Sequence, residues 1–284
     1  MNLRYFGLFV LAVFSLAGCA GGGNSSSSLS GANVAPPVLT PMASGTLTVV
    51  PPRGASTNKR RPLFVSASTT GASMYVGSSP FGGAGTNPHI TCSPSCTFHW
   101  VAPSGAQTFS VELDDGTNVL AEGRRTYTIA PGTNTLSPSL TLNGVAATLA
   151  FGAETVGGGG TTFSGSFAIA DFDGNAITSA GSSSAYDNGT PTFASSNAAV
   201  GTVTIAAQTP TATGTDHSFT VACAASATGT FAIAPTPGSG SGAITAAQLA
   251  ATSLTYPSAI TGNMYTYTCT SGQITDSSGS SGFQ

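Results

Sequence analysis

The side chains in this sequence that could carry chemistry are few, and the cysteines stand out among them. Five occur in 284 residues: Cys19, Cys92, Cys96, Cys223 and Cys269. Cys19 closes an apolar N-terminal run, and the other four divide by spacing. Cys92-Ser-Pro-Ser-Cys96 is a short loop whose ends can meet across a turn. In Phe219-Thr-Val-Ala-Cys223 and Tyr265-Thr-Tyr-Thr-Cys269 apolar residues alternate, so in strands both cysteines share a face with core side chains. In an exported chain, where oxidation is permitted, this spacing selects the bridges Cys92–Cys96 and Cys223–Cys269. The rivals are a redox pair and a zinc site. A redox CxxC pair has two intervening residues and a helix N-terminus that lowers a thiol pKa, whereas three residues, the middle one proline, separate Cys92 from Cys96. Zinc would need further ligands at finger-like spacing, and His89 and His99, which flank the pair, are the residues that could supply them.

Three other constellations carry side chains capable of chemistry. Asp171, Asp173 and Asn175 place oxygen ligands on alternate residues around Gly174, a pattern that suits calcium, but the later bidentate glutamate of a calcium loop is missing. An Asx-type turn joining two strands is the plainer reading. Trp100 follows Phe98 and His99 just after Cys96. A lone tryptophan at an apolar strand position is a core residue, and the alternative is an exposed platform for sugar built from Tyr75, His99 and Trp100. For catalysis there is no G-x-S-x-G elbow, and Asp216 and His217 are adjacent, so in a strand they point to opposite faces. The glutamates are Glu112, Glu122 and Glu154, all in strand or turn contexts. No catalytic residue, resident metal or cofactor is expected.

The elements that must position these residues begin after a leader. Arg4 provides a positive end, and Tyr5 to Leu16 form an apolar run too short for a stable bilayer span. The run ends in Leu16-Ala17-Gly18-Cys19, which resembles the lipobox of bacterial lipoproteins. The resemblance implies cleavage before Cys19 and a diacylglyceryl lipid on its thiol, so that the membrane itself becomes a partner. Residues 1–18 are then a signal peptide, and 19–45 a tether: Ala20 to Ser30 is rich in Gly, Asn and Ser, and Val34 to Pro41 adds a stiffer proline-containing piece.

Only 6% of the residues in the whole chain are charged and there is a single lysine, which argues against nucleic-acid binding, since phosphate neutralisation needs many cations. It also argues against long exposed helices. Lys59-Arg60-Arg61 reads as a solvated strand edge. Thr alternating with Val, Ile, Phe and Tyr predicts strands. In the first part these are Thr46–Val50, Pro62–Ala67, Ser73–Val76, Thr97–Val101, Thr108–Leu113, Tyr127–Ile129 and Ser139–Leu142. Over Thr108–Leu113, Phe109, Val111 and Leu113 should face inward and Ser110 and Glu112 outward. Asn143-Gly144 reads as a boundary. A second series follows: Val145–Phe151, Thr162–Ala170, Thr192–Ala194, Gly201–Ala206, Ser218–Cys223, Gly229–Ala234, Ser253–Tyr256 and Met264–Cys269. The one predicted helix is Ala243–Ala251, with Thr245 as N-cap and Leu249 inward. Gly157–Gly160 is a loop, with no GK[ST] to make it a phosphate cradle.

The strand spacing and the turn Asp171-Phe-Asp-Gly-Asn-Ala-Ile177 resemble bacterial immunoglobulin-like surface proteins of the invasin and intimin type, whose modules carry D-x-x-G-N-x-[IV] after an early strand. Arg60-Arg61-Pro62, Cys92/Cys96 and Asp114-Asp115-Gly116-Thr-Asn-Val-Leu120 also resemble exported proteins of unknown function from environmental bacteria. The expected fold is therefore all-β: two immunoglobulin-like β-sandwich domains, 46–143 and 144–284, after the signal peptide and linker. The expected function is that of a lipid-anchored cell-envelope protein with a structural or adhesive role, whose partner is an envelope protein or glycan and not nucleic acid. A carbohydrate-binding module is the alternative, and an extracellular hydrolase, which would need a cleft with paired carboxylates, the third reading. Ala20 after the lipidated position lacks the aspartate that resembles the inner-membrane retention signal, which favours the outer membrane in a host with two membranes.

Overall fold

Short runs in which large apolar side chains alternate with Thr, Ser and Ala can bury one face and wet the other, and they set the strands here. The computed structural model describes residues 40–50, 65–137, 139–151, 160–178, 185–205, 209–211, 217–236, 238, 242, 244–258, 260–262 and 265–278. Their fold is all-β with one short helix. The first part contains β1 (Met42–Val49), β2 (Gly71–Val76), β3 (Ser79–Pro80), β4 (His89–Thr91), β5 (Cys96–Pro103), β6 (Gly105–Asp114), β7 (Val119–Ile129), β8 (Gly132–Asn134) and β9 (Asn143–Gly144). One sheet runs β5-β1-β8 and a larger one β3-β2-β6-β7-β9, with β4 also paired to β2.

β5 is fully alternating: Cys96, Phe98, Trp100 and Ala102 are buried while Thr97, His99, Val101 and Pro103 are exposed. Its inner face meets that of β6, where Trp100 packs edge-on against Phe109 at 5.0 Å between ring centres, and Phe109 against Tyr127 at 5.5 Å. Gly45 in β1 lies beneath the Trp100 ring, where a Cβ would come within 2.5 Å of it.

The second part contains β10 (Thr148–Phe151), β11 (Thr162–Ala170), β12 (Thr192–Ser195), β13 (Gly201–Ile205), β14 (His217–Cys223), β15 (Gly229–Thr236), α1 (Ala246–Thr252), β16 (Thr261–Gly262), β17 (Thr266–Thr270) and β18 (Gln273–Ser278). Its sheets run β13-β14-β11-β10-β16 and β12-β15-β17-β18. They face each other through aromatic side chains, Phe163 and Phe219 meeting Tyr267 at 6.2 and 6.5 Å. On the solvent faces, cross-strand hydroxyl pairs take the place of charges: Thr48 with Thr97, Thr108 with Thr126, Ser164 with Thr220. Such pairs contribute a few tenths of a kcal/mol to about 1 kcal/mol each, which is how a strand surface so poor in charge stays paired and wetted.

Several boundaries differ from the sequence expectation. β1 begins at Met42, inside the segment 19–45 read as tether, because Met42–Gly45 pair with Trp100–Pro103; the Gly and Ser of this run hid its strand character. β7 extends over eleven residues from Val119, where only Tyr127–Ile129 was expected. Glycine and two arginines break its alternation, and pairing with β6 holds it nevertheless. Of the expected strand Pro62–Ala67, residues 62–64 lie outside the described residues and Val65–Ala67 are not a strand; nor is Ser139–Leu142, though Leu140 and Leu142 are buried. Ser253–Tyr256 gives only an isolated bridge, Thr255 to Asn118, and β18 was not anticipated. The helix starts later than expected, at Ala246 after the Thr245 cap, in a capping box with Gln248. Gln248, not Leu249, is its buried residue.

Candidate functional site

The largest departure from the simple alternating pattern is on the outer face of the β2-β6-β7 sheet. Ser110 and Glu112, which alternation places in solvent, are buried, as are Ser73, Asp114 and Glu122. Antiparallel register explains their grouping: Ser73, Glu112 and Glu122 are directly opposite one another on β2, β6 and β7, with Asn143 of β9 next in the row. The row above holds Tyr75, Ser110 and Arg124. Two like carboxylates opposite each other would repel, so this face demands neutralisation.

The cover comes from later in the chain. The Tyr75 hydroxyl donates to the Gln248 carbonyl at 3.0 Å and the Gln248 side-chain amide donates to the Gly77 carbonyl at 3.3 Å, fastening α1 over the end of β2. The Ile244 amide donates to Glu122 Oε2 at 2.9 Å. Tyr256 donates to Asp187 Oδ2 at 3.0 Å, and Gly242 lies beside all three groups, a Cβ there coming within 3.0 Å of Glu122 Oε2 and 3.3 Å of both Asp187 Oδ2 and the Tyr256 hydroxyl oxygen. The segment between is tied down as well. Asp187 donates its amide to the Gly144 carbonyl, and the Asn188 side chain makes reciprocal bonds with the backbone of Ala146.

Burial decides the protonation of these acids. The Glu112 carboxyl is pushed up to about 8, first by desolvation and then by the charge of Asp114, with the Ser73 hydroxyl offsetting part of this. Glu122 is raised further, again by burial first and then by Asp187, with which it shares a hydrogen bond. A carboxyl–carboxyl hydrogen bond requires one proton between the two groups, so this pair is held half-neutral. Burial and the neighbouring Asp187 and Glu122 charges also raise the Tyr256 hydroxyl, which stays a donor. The direct contact of Glu122 with Asp187 is shorter than the roughly 5 Å or more by which glycoside hydrolysis separates its two carboxyls.

A cavity of about 570 Å³ opens beside this face. Tyr75, Ser110 and Arg124 form its floor, the loops at Ser78 and Thr86 one wall, and Thr245, Gln248 and Ala251 the other. Its size is in the range of small-molecule sites.

The sequence-derived candidates are distributed elsewhere. Cys92–Cys96 and Cys223–Cys269 are both closed disulfides, with Cα separations of 4.4 and 5.9 Å. His89 does not turn toward the first bridge as a zinc ligand would; its Nε2 pairs with Asp114 Oδ2 at 3.1 Å. Trp100 is fully buried and His99 exposed on the opposite face of β5, while Tyr75 is buried on another sheet. The three do not form one platform, because alternation separates neighbours in a strand.

In the Asp171–Asn175 turn, Asp171 is buried and its Oδ1 accepts the amides of Asp173 and Asn175 at 3.0 and 2.9 Å. Asn175 presents its side-chain NH₂, not its oxygen, to Asp171 and to the hydroxyls of Ser66 and Ser68. This is an Asx turn that fastens residues 66–68. Burial still leaves the Asp171 carboxyl above its ordinary value. Among the described residues no group of three His, Cys, Asp or Glu side chains could hold a metal ion. His217 is buried, with Nε2 hydrogen-bonded to the Tyr186 hydroxyl at 3.1 Å. Cys19, Lys59-Arg60-Arg61, Glu154 and Asp216 lie outside the described residues, and no described helix is long and apolar enough to cross a membrane.

The acid row is barely legible in the sequence. Its only signal was Glu112 and Glu122 at like-phased strand positions, and nothing local tells that those strands pair in register or that Asp187 arrives beside them.

No family model matches the sequence, and no curated protein matches it. Among solved structures the chain is similar to surface layer protein SbsC, domains 1-6, with 12% sequence identity and a TM-score of 0.24. The similarity covers 72% of this chain and 24% of that one, so the match spans about a quarter of that solved chain's length. The all-β assignment rests on the strands themselves.

Proposed function

We propose that this chain is a lipid-anchored cell-envelope protein with a structural or adhesive role, carried on two β-sandwich domains and without catalysis. The observation that carries the reading is Cys19, directly after Leu16-Ala17-Gly18 at the end of a short apolar leader. The two disulfides agree with export, since such bridges persist in oxidising compartments. The solvent faces, paired through Thr and Ser hydroxyls and nearly free of charge, suit a scaffold that presents loops and edges to an envelope protein or a glycan. In a host with two membranes the outer membrane is the proposed site.

Labelling cells with radioactive palmitate tests this. The wild-type chain should take up label and fractionate with membranes, and Cys19→Ala should do neither. Equal membrane association of both forms without label would refute the anchor.

A further inference from the structure

Of the seven Lys and Arg residues in the sequence, only Arg124 and Arg125 are among the described residues. Arg125 is engaged: it lies over the Tyr127 ring at 5.8 Å and donates to the Ser139 carbonyl. Arg124 is exposed, has no ion pair among the described residues, and stands on the floor of the 570 Å³ cavity. A guanidinium presented without a carboxylate partner in a concave site is a fork for an anion, and carboxylates are matched bidentately.

The rest of the lining narrows the ligand. Ser78, Thr86 and Ser110 bring hydroxyls to the same space, while Pro80, Pro88 and Ala251 offer apolar surface and no second charge. A bare apolar acid would leave those hydroxyls unused, and a neutral sugar would leave Arg124 unused. We propose that this cavity binds a carboxylate-bearing sugar unit of an envelope glycan, with Arg124 on the carboxylate, the hydroxyls on the sugar oxygens and the prolines against its C–H faces. The adhesive role proposed above gains a ligand class in this way, and the inference rests on that role for its biological setting though not for its test.

Electrostatics of the neighbouring row agree. Glu112 and Glu122 lie one row from Arg124 on the same face. Because burial keeps Glu112 protonated up to about 8 and the Glu122–Asp187 pair retains one proton, these three carboxyls together carry one negative charge instead of three at neutral pH, and none of them is ion-paired with Arg124 among the described residues.

The test is calorimetric titration of the full chain in detergent with three probes: a galacturonate disaccharide, the matching galactose disaccharide and inorganic phosphate. Galacturonate should bind measurably and galactose at least roughly 10-fold more weakly, and Arg124→Gln should weaken galacturonate roughly 10- to 100-fold, the range of a charge-assisted hydrogen bond. Ala251→Trp, on an exposed helix position at the cavity wall, should also abolish binding while circular dichroism and melting stay unchanged. No galacturonate binding at millimolar concentration, equal binding by Arg124→Gln, or phosphate binding as tightly as galacturonate would overturn the proposal. Palmitate labelling at Cys19 is unaffected by any of these results, so failure here is distinguishable from failure of the anchor.

Discussion

Glu112 gives the sharpest test of how the sheet face is built. Both its oxygens are buried and neither meets hydrogen-bond geometry with a partner, and its carboxyl is raised from 4.5 to about 8. In the unfolded chain Glu112 loses its proton near 4.5, while in the folded chain it keeps it until about 8. The unfolded state therefore binds fewer protons over that window, and stability falls as pH rises. At about 1.4 kcal/mol per pH unit the loss is on the order of 5 kcal/mol between pH 4.5 and 8, after which it levels off.

Glu112→Gln keeps the shape and cannot ionise. Urea unfolding of both forms at pH 4.5 to 9 should give similar stabilities at the acid end. The variant's advantage should widen steadily to several kcal/mol by pH 8 and stay constant above it. Any fixed cost of the amide shifts the whole difference without changing its slope. A difference between the two forms that is constant across this range would refute the burial argument, because it would mean that Glu112 titrates alike in the folded and unfolded chain.

The two disulfides should differ in weight. Cys223–Cys269 closes a loop of 46 residues in sequence separation and Cys92–Cys96 one of 4. On loop-closure entropy, replacing both cysteines by Ala should cost about 4 kcal/mol in the first case and about 2 kcal/mol in the second, read by denaturant unfolding. Trp100→Ala should lower stability by about 3–5 kcal/mol, with no loss of galacturonate binding in titration of any variant fraction that remains folded; loss of binding alone, with stability intact, would restore the sugar-platform reading. Gly45→Ala pushes a methyl group into the Trp100 ring and the Asn134 carbonyl, and its melting temperature should fall, corresponding to about 1–3 kcal/mol.

What the sequence determined by itself was local. A period of two in Cys96–Ala102 dictated that Trp100 faces inward with Phe98, and the same period in Phe219–Cys223 and Tyr265–Cys269 set both cysteines on the core side. The Thr245 cap and the Asp171–Asn175 turn were likewise legible, because each is completed by bonds within a few residues. Tertiary structure alone decided the rest. Whether Glu112 faces water depends on what covers β6, and the cover is supplied by residues 242 and 244–256, more than a hundred positions away. That Glu122 lies opposite Glu112 depends on the β6–β7 register, and that Asp187 meets it depends on the anchoring of residues 187 and 188 to Gly144 and Ala146. Alternation specifies which residues share a face, since it follows from the geometry of one strand. Pairing and covering are contacts between distant segments, and only the folded chain brings an acid row, a tyrosine and an arginine with no ion pair among the described residues to one side of one sheet.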